Sequence, residues 1–161
     1  MIRPVTRDDV ESIVIIYNYY IINSTVTFEE EPISSDEMAN RIVETTSNSM
    51  PWLVFEQEGK VIGYAYATLW KRRSAYRFSA ESTIYLAPDQ NRQGVGSQLY
   101  EALFIQLRQK GFHTVIGGIA LPNPASVALH EKFRMTKVAH FKEVGFKFGQ
   151  WIDVGYWECL L

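Results

Sequence analysis

Asp89-Gln90-Asn91-Arg92-Gln93-Gly94-Val95-Gly96-Ser97 lies between two runs of different character. Before it, Ser82 to Leu86 reads as a strand, stopped by Pro88. After it, Val95, Leu99, Ala102, Leu103 and Leu107 recur on one apolar face, so the spacing predicts a helix that opens near Gly94 and ends at Gly111. A loop in this setting turns several backbone N–H groups in one direction, and the helix start adds about half a unit of positive charge. Together they hold a phosphate without any side chain. Glycine is required where a side chain would block the approach or where the dihedral is unusual. Two well-known phosphate loops are excluded. The Walker pattern ends in Gly-Lys-Ser/Thr, whereas Gly96 is followed directly by Ser97. The dinucleotide pattern needs a third glycine and an acidic residue about 20 positions later. Leu99 stands at the third glycine position, and the next strand ends in Ile119-Ala120-Leu121. On its own residues the loop stays open between a phosphate cradle and a glycine turn without a ligand.

Outward from the loop, the chain reads as alternating short elements. Thr6 to Asp9 resembles a capping box with Asp in place of Glu. Behind it, Val10, Ile13, Val14, Tyr17 and Ile21 follow helical spacing. Ser24 to Ile33 is a polar, acidic loop. Ser34-Ser35-Asp36-Glu37 is a cleaner capping box for a second helix running to about Thr46. Pro51 to Gln57 and Lys60 to Leu69 form a hairpin around Glu58-Gly59. His113 to Ala120 is a short buried strand, and Asn123-Pro124 starts a helix running to about Arg134. The tail from Lys137 to Leu161 carries two strand-like runs around Gly145 to Gln150. The order is strand, helix, helix, three strands, helix, strand, helix, two strands. With no repeat, low-complexity segment or linker, residues 1–161 are expected to form one mixed α/β domain.

Composition narrows the function classes. A length of 161 residues favours a single domain, and 47% apolar residues suffice for a core. A formal net charge of −2 argues against non-specific nucleic-acid binding, which needs a basic face. The single cysteine, Cys159, rules out an internal disulfide and a cysteine-based zinc cluster. The histidines, His113, His130 and His140, are widely spaced, so no metal is expected. The N-terminus has no apolar signal core. The run Ile13 to Tyr17 is broken by Asn18, far short of the roughly 20 residues of a spanning helix. A soluble cytoplasmic protein without a membrane partner is the expectation.

The loop also fits a third pattern, the Q/R-x-x-G-x-G/A turn of GNAT-superfamily acetyltransferases, which holds the pyrophosphate of CoA. Gly94 and Gly96 match it; Asn91 stands where Gln or Arg is usual. Across its whole length the chain resembles the phosphinothricin N-acetyltransferases, a branch of that superfamily. The resemblance is carried by Ser24-Thr25-Val26 with Phe28, Pro51-Trp52-Leu53-Val54, Trp70-Lys71 with Ala75-Tyr76, and Ala80-Glu81-Ser82-Thr83 with Tyr85. It continues through Gly94-Val95-Gly96-Ser97 with Leu99-Tyr100, Leu121-Pro122-Asn123, His130-Glu131, Gly145-Phe146-Lys147, and Trp151 with Asp153-Val154-Gly155. It implies the GNAT fold, a mixed central sheet of about seven strands flanked by four helices. It further implies acetyl-CoA as acetyl donor, a small amino acid such as phosphinothricin or methionine sulfoximine as acceptor, and a homodimer. Besides Asn91 there is one departure. The family has Gly followed by an aromatic after the fourth helix, where this chain has Arg134-Met135, which puts the packing of that helix end in doubt.

Acetyl transfer to an amine requires a held donor, a deprotonated amine, a polarised carbonyl and a leaving thiolate. Donor binding falls to the loop residues Asn91, Arg92, Gln93, Gly94, Val95, Gly96 and Ser97. The resemblance adds backbone groups of Ile84, Tyr85 and Leu86, pairing with the pantetheine arm like an extra strand, and the side chain of Asn123, which also reads as a plain helix cap. Glu81, just before the cofactor strand, matches the family's proposed catalytic glutamate; by its residue type alone it reads as a solvated carboxylate. His130 matches a proposed catalytic histidine, although a lone helical histidine is more often structural. Lys71, Arg73 and Tyr76 suit a substrate carboxylate or phosphinate, since arginine binds both in bidentate fashion; a solvated charged turn is the alternative. Phe28 and Trp52 are open between pocket and core, with core preferred for Trp52. Rival functions are acetylation of a different small amine and a non-catalytic CoA-binding module.

Overall fold

Trp52 and Val54 point to one side of the second strand and Leu53 to the other, and both sides are buried. That two-faced burial follows from a central sheet with helices on each face. The computed structural model describes residues 1–90 and 94–161. In chain order the elements are β1 (Ile2–Pro4), α1 (Val10–Asn23), α2 (Ser35–Ser47), β2 (Trp52–Gln57), β3 (Lys60–Leu69), β4 (Ser79–Leu86), α3 (Val95–Gln109), β5 (Thr114–Ala120), α4 (Pro124–Lys132), β6 (Thr136–Lys147) and β7 (Gln150–Leu160). They form a seven-stranded mixed sheet in the order β1-β2-β3-β4-β5-β7-β6. Helices α1 and α2 cover one face, on Trp52, Val54 and Tyr64. Helix α3 covers the other, on Leu53, Ala65, Ala67 and Ala80. No described helix is long and apolar enough to cross a membrane.

The expected element order holds throughout, and local chemistry explains much of it. Ser34 caps α2 by accepting from the Glu37 N–H at 3.1 Å. The β2–β3 hairpin closes through Glu58 and Gly59, both at positive φ (51° and 75°), the mark of a two-residue type I′ turn. Two boundaries differ from expectation in ways that bear on the site. Strand β4 begins at Ser79 rather than Ser82, because Ser79, Ala80 and Glu81 pair with Thr114, Val115 and Ile116 of β5. Glu81 therefore lies inside a strand, not before it.

Helix α4 ends at Lys132 rather than Arg134. Arg134 takes φ +61°, its N–H donates to the Glu131 carbonyl at 2.9 Å, and the Met135 N–H donates to the His130 carbonyl at 3.1 Å. This is a Schellman closure, the same one Gly111 makes at the end of α3 with φ +82°. An arginine thus occupies a left-handed position that favours glycine, at a cost of roughly 1–2 kcal/mol. Met135, 2% exposed, fills the core site behind it.

The site is positioned by what happens after Glu81. The pairing of β4 with β5, the one parallel pair among the described residues, covers only three rungs and stops there. Strand β4 stays with β3 as far as Leu86, and β5 stays with β7 as far as Ala120. The two strands separate, and a cleft opens between them.

Candidate active site

The cleft between β4 and β5 has a volume of about 360 Å³. Ile84, Tyr85 and Leu86 line one wall, Gly118 to Ala120 another, and Asn123, Ser126 and His130 of α4 a third. The Tyr20 hydroxyl donates to the Leu86 carbonyl at 2.7 Å at one end of the β4 wall. Asn123 is the N-cap of α4, its Oδ1 accepting from the Ser126 N–H at 3.1 Å, and it also faces the cleft.

Asn91, Arg92 and Gln93 lie outside the described residues. Gly94 is the N-cap of α3 at φ +76°, a conformation a side chain would strain. The first α3 hydrogen bond runs from the Gln98 N–H to the Gly94 carbonyl at 3.1 Å. As at any helix start, the N–H groups of Val95, Gly96 and Ser97 have no acceptor within the helix. Gly96 is less demanding, since an added Cβ would make ordinary 3.5 Å contacts with Leu86 and Leu129. The Lys132 Nζ donates to the Ser97 hydroxyl at 2.8 Å and brings a positive charge to this helix start. Sequence reasoning missed Lys132, and no motif marks it; only the packing of α4 beside α3 places it there.

Glu81 stands where the strands part and borders both the cleft and a second cavity of about 590 Å³. Burial raises its carboxyl pKa, and the charge of Lys71 works against that rise. His130 is 3% exposed. Its Nδ1–H donates to the Ser126 carbonyl at 2.7 Å, which leaves Nε2 to accept from the Tyr100 hydroxyl at 3.1 Å. Tyr100 in turn lies 3.2 Å from the Ser82 hydroxyl. Burial lowers the His130 pKa, against the pull of the Ser126 carbonyl, and so favours the neutral ring. The imidazole lies against Gly117, where any Cβ would overlap Nε2. His130 thus borders the cleft and also holds the Tyr100 hydroxyl, which lines it too. Neither Tyr100 nor Gly117 was singled out from the sequence for this arrangement; the Gly117-Gly118 pair inside a strand is the signal that something packs closely there.

The larger cavity is mainly apolar. Val26 and Phe28 come from the loop after α1, Tyr85 from β4, Phe141 and Val144 from β6, and Tyr156 from β7. A bulge in β6 between Phe141 and Gly145 turns that strand into the cavity. It is held by Asp153, whose carboxylate accepts from the Glu143 N–H at 2.8 Å and from His140 Nε2 at 2.7 Å. The loop after α1 is tied down beneath the cavity. The Thr27 hydroxyl is 2.9 Å from the Tyr17 hydroxyl, Tyr17 donates to the Glu29 carboxylate, and Arg41 clamps that carboxylate at 2.7 and 2.9 Å.

Of the expected substrate residues, Phe28 is in the cavity wall. Lys71 is close enough to act on Glu81 but is not among the residues that line the cavity. Arg73 and Tyr76 sit on an exposed 3-10 turn, Ser74–Tyr76 with Arg73 as its cap, and the structure does not bring them into the cavity of their own chain. Trp52 is core, stacked 4.1 Å from Tyr66.

Comparison with known proteins adds four matches. Residues 2–155 match the family model described as Acetyltransferase (GNAT) domain. A phosphinothricin N-acetyltransferase of Streptomyces viridochromogenes is 42% identical over 157 residues, covering 98% of this chain and 85% of that protein. An L-methionine sulfoximine/L-methionine sulfone acetyltransferase of Pseudomonas paraeruginosa is 31% identical, covering 99% of this chain and 94% of that protein. The crystal structure of a GNAT superfamily phosphinothricin acetyltransferase from Sinorhizobium meliloti, in complex with AcCoA, superposes with a TM-score of 0.97 at 36% identity, covering 100% of this chain and 88% of that one.

Proposed function

The chain belongs to the GNAT acetyltransferase family and is an N-acetyltransferase, and from that premise we propose that it transfers acetyl from acetyl-CoA to the α-amine of a small amino acid of the phosphinothricin or methionine sulfoximine type. The observation that carries this reading is the parting of β4 and β5 directly after Glu81, which leaves a strand-shaped gap with a carboxylate at its vertex.

Acetyl-CoA supplies the activated acyl group as a thioester. The residues present suit it. Backbone groups of Ile84 and Leu86, turned away from β3, offer an added strand its hydrogen bonds, as in strand addition to a sheet edge, whereas those of Tyr85 are turned to Tyr64 of β3. The helix start at Gly94, Val95, Gly96 and Ser97 suits a pyrophosphate, with Lys132 adding charge. Asn123, the N-cap of α4, serves the arm. Glu81 takes the proton from the acceptor ammonium, directly or through water; its burial brings its basicity closer to that task. His130 positions the Tyr100 hydroxyl at the inner end of the cleft.

The acceptor lies in the larger cavity, its side chain against Phe28, Phe141 and Val144. Its carboxylate is drawn by the charge of Lys71, which also acts on Glu81 at the edge of the cavity. The active form is a homodimer: Phe146, Phe148 and Trp151, at the tip of the β6–β7 hairpin, are each more than half exposed and form a patch suited to a second copy. The setting is the cytoplasm, where acetyl-CoA is at hand.

The test is release of free CoA thiol from acetyl-CoA with a panel of amino acids. Release with phosphinothricin or methionine sulfoximine is expected. Release with polyamines or aminoglycosides alone would overturn the acceptor class. Acetyl-CoA binding without release for any amine would leave a non-catalytic CoA-binding module.

A further inference from the structure

Lys147, the last residue of β6, is 1% exposed. A buried ammonium is costly unless it is partnered, so its partner matters. The Nζ donates to the main-chain carbonyl of Thr27 at 2.8 Å, across 120 residues of sequence. Glu29 and Glu30, on the same loop, face it with opposite charge. The β6–β7 hairpin does not need this bond to close. Its turn, Phe148-Gly149, has both residues at positive φ (52° and 71°), a type I′ geometry that sets the Lys147–Gln150 register by itself.

What the bond does is join two walls. Thr27 is held by its hydroxyl to Tyr17 on α1 and by its carbonyl to Lys147 on the hairpin. Its neighbours Val26 and Phe28 form one wall of the larger cavity; Phe141 and Val144, just before Lys147 on β6, form the facing one. The Phe28 ring rests on Gly145, where a Cβ would overlap the ring. We infer that Lys147 is a positioning residue for the acceptor: its ammonium fixes the loop 24–28 against the β6 bulge and so sets the width of the acceptor cavity. This rests on the assignment of that cavity to the acceptor.

The test compares steady-state KM values of wild type, Lys147→Met and Lys147→Gln for acetyl-CoA and for the best acceptor found in the panel, with a thermal melt of each protein. Methionine keeps the length of the side chain and removes the donor. Glutamine keeps an N–H donor of shorter reach. Lys147→Met should raise the acceptor KM about tenfold or more and leave the acetyl-CoA KM within about twofold, because the bond lost involves a charged group and lies on the acceptor side only. Lys147→Gln should fall between it and wild type. Gly145→Ala, which pushes Phe28 off the same wall, should reproduce the acceptor effect with Lys147 intact. Where Lys147→Met melts below the assay temperature, Lys147→Gln carries the comparison, and an unchanged acceptor KM in that variant overturns the inference. Equal changes in both KM values also overturn it, since they would mean a general structural role. If wild type acetylates no amino acid, the functional reading fails; if wild type is active and the folded variants keep its acceptor KM, only this inference fails.

Discussion

The cleft between β4 and β5 offers two backbone features, the β4 edge after Glu81 and the start of α3 at Gly94, whereas the larger cavity is assembled from the loop after α1, from β4, and from both strands of the C-terminal hairpin. The first presents backbone groups: a strand edge and an open helix start. The second presents side chains, mostly apolar, held by long-range polar ties such as Asp153 with Glu143 and Arg41 with Glu29. A backbone site tolerates many side-chain changes but few changes of conformation. A side-chain cavity behaves the other way, so acceptor preference can change while donor use stays constant.

The strongest test of this contrast is at the residue the two sides share. Glu81→Gln should lower kcat by about 10²- to 10⁴-fold, the usual contribution of a general base, with acetyl-CoA affinity by calorimetry nearly unchanged. Equal turnover would remove Glu81 from the mechanism. The pH profile gives a second check. The base works deprotonated and burial raises its pKa, so kcat/KM should rise with pH through a midpoint above the ordinary carboxylate range. Lys71 opposes that rise, so Lys71→Met should move the midpoint to higher pH. A shift to lower pH would refute the placement of that charge.

Smaller effects should separate the two sides. Phe28→Ala should raise the acceptor KM by about tenfold and leave the acetyl-CoA KM alone, as expected for loss of one apolar wall. Lys132→Ala should do the reverse and more weakly, raising the acetyl-CoA KM about threefold at low salt with the difference fading at high salt. The smallest effect concerns neither side. Arg134→Gly relieves a left-handed arginine and should stabilise the fold by about 1 kcal/mol, roughly 2–4 °C in Tm, with unchanged kinetics. A fall in Tm would mean that the arginine side chain contributes more than its backbone strain costs.

The legible parts of the site share one property, that their signals are local. The Gly94 turn, the Ser34 cap, the Glu58-Gly59 hairpin and the Asn123 cap each depend on dihedrals and hydrogen bonds within a few residues. Glu81 was legible as a candidate but misplaced at a strand entrance, because its last rung of pairing is with Ile116, far along the chain. The neutral His130, the Tyr100 hydroxyl it orients and the glycine beneath its ring come from three elements whose meeting no local pattern encodes. The exposed Arg73 and Tyr76 show the converse: a chemically apt cluster in sequence does not reach the cavity of its own chain.

By itself, then, the sequence determined the order of elements, the glycine at the head of α3 and, through motifs spread along its length, the family to which the chain belongs, since periodicity, caps and glycine dihedrals are properties of short segments. Only the tertiary structure decided where β4 and β5 part, which side chains wall the acceptor cavity, and why a lysine is buried at Lys147. Those outcomes depend on contacts between residues up to 120 positions apart. Contacts at that separation are selected by the packing of the whole sheet and its helices, not by any stretch of chain read alone.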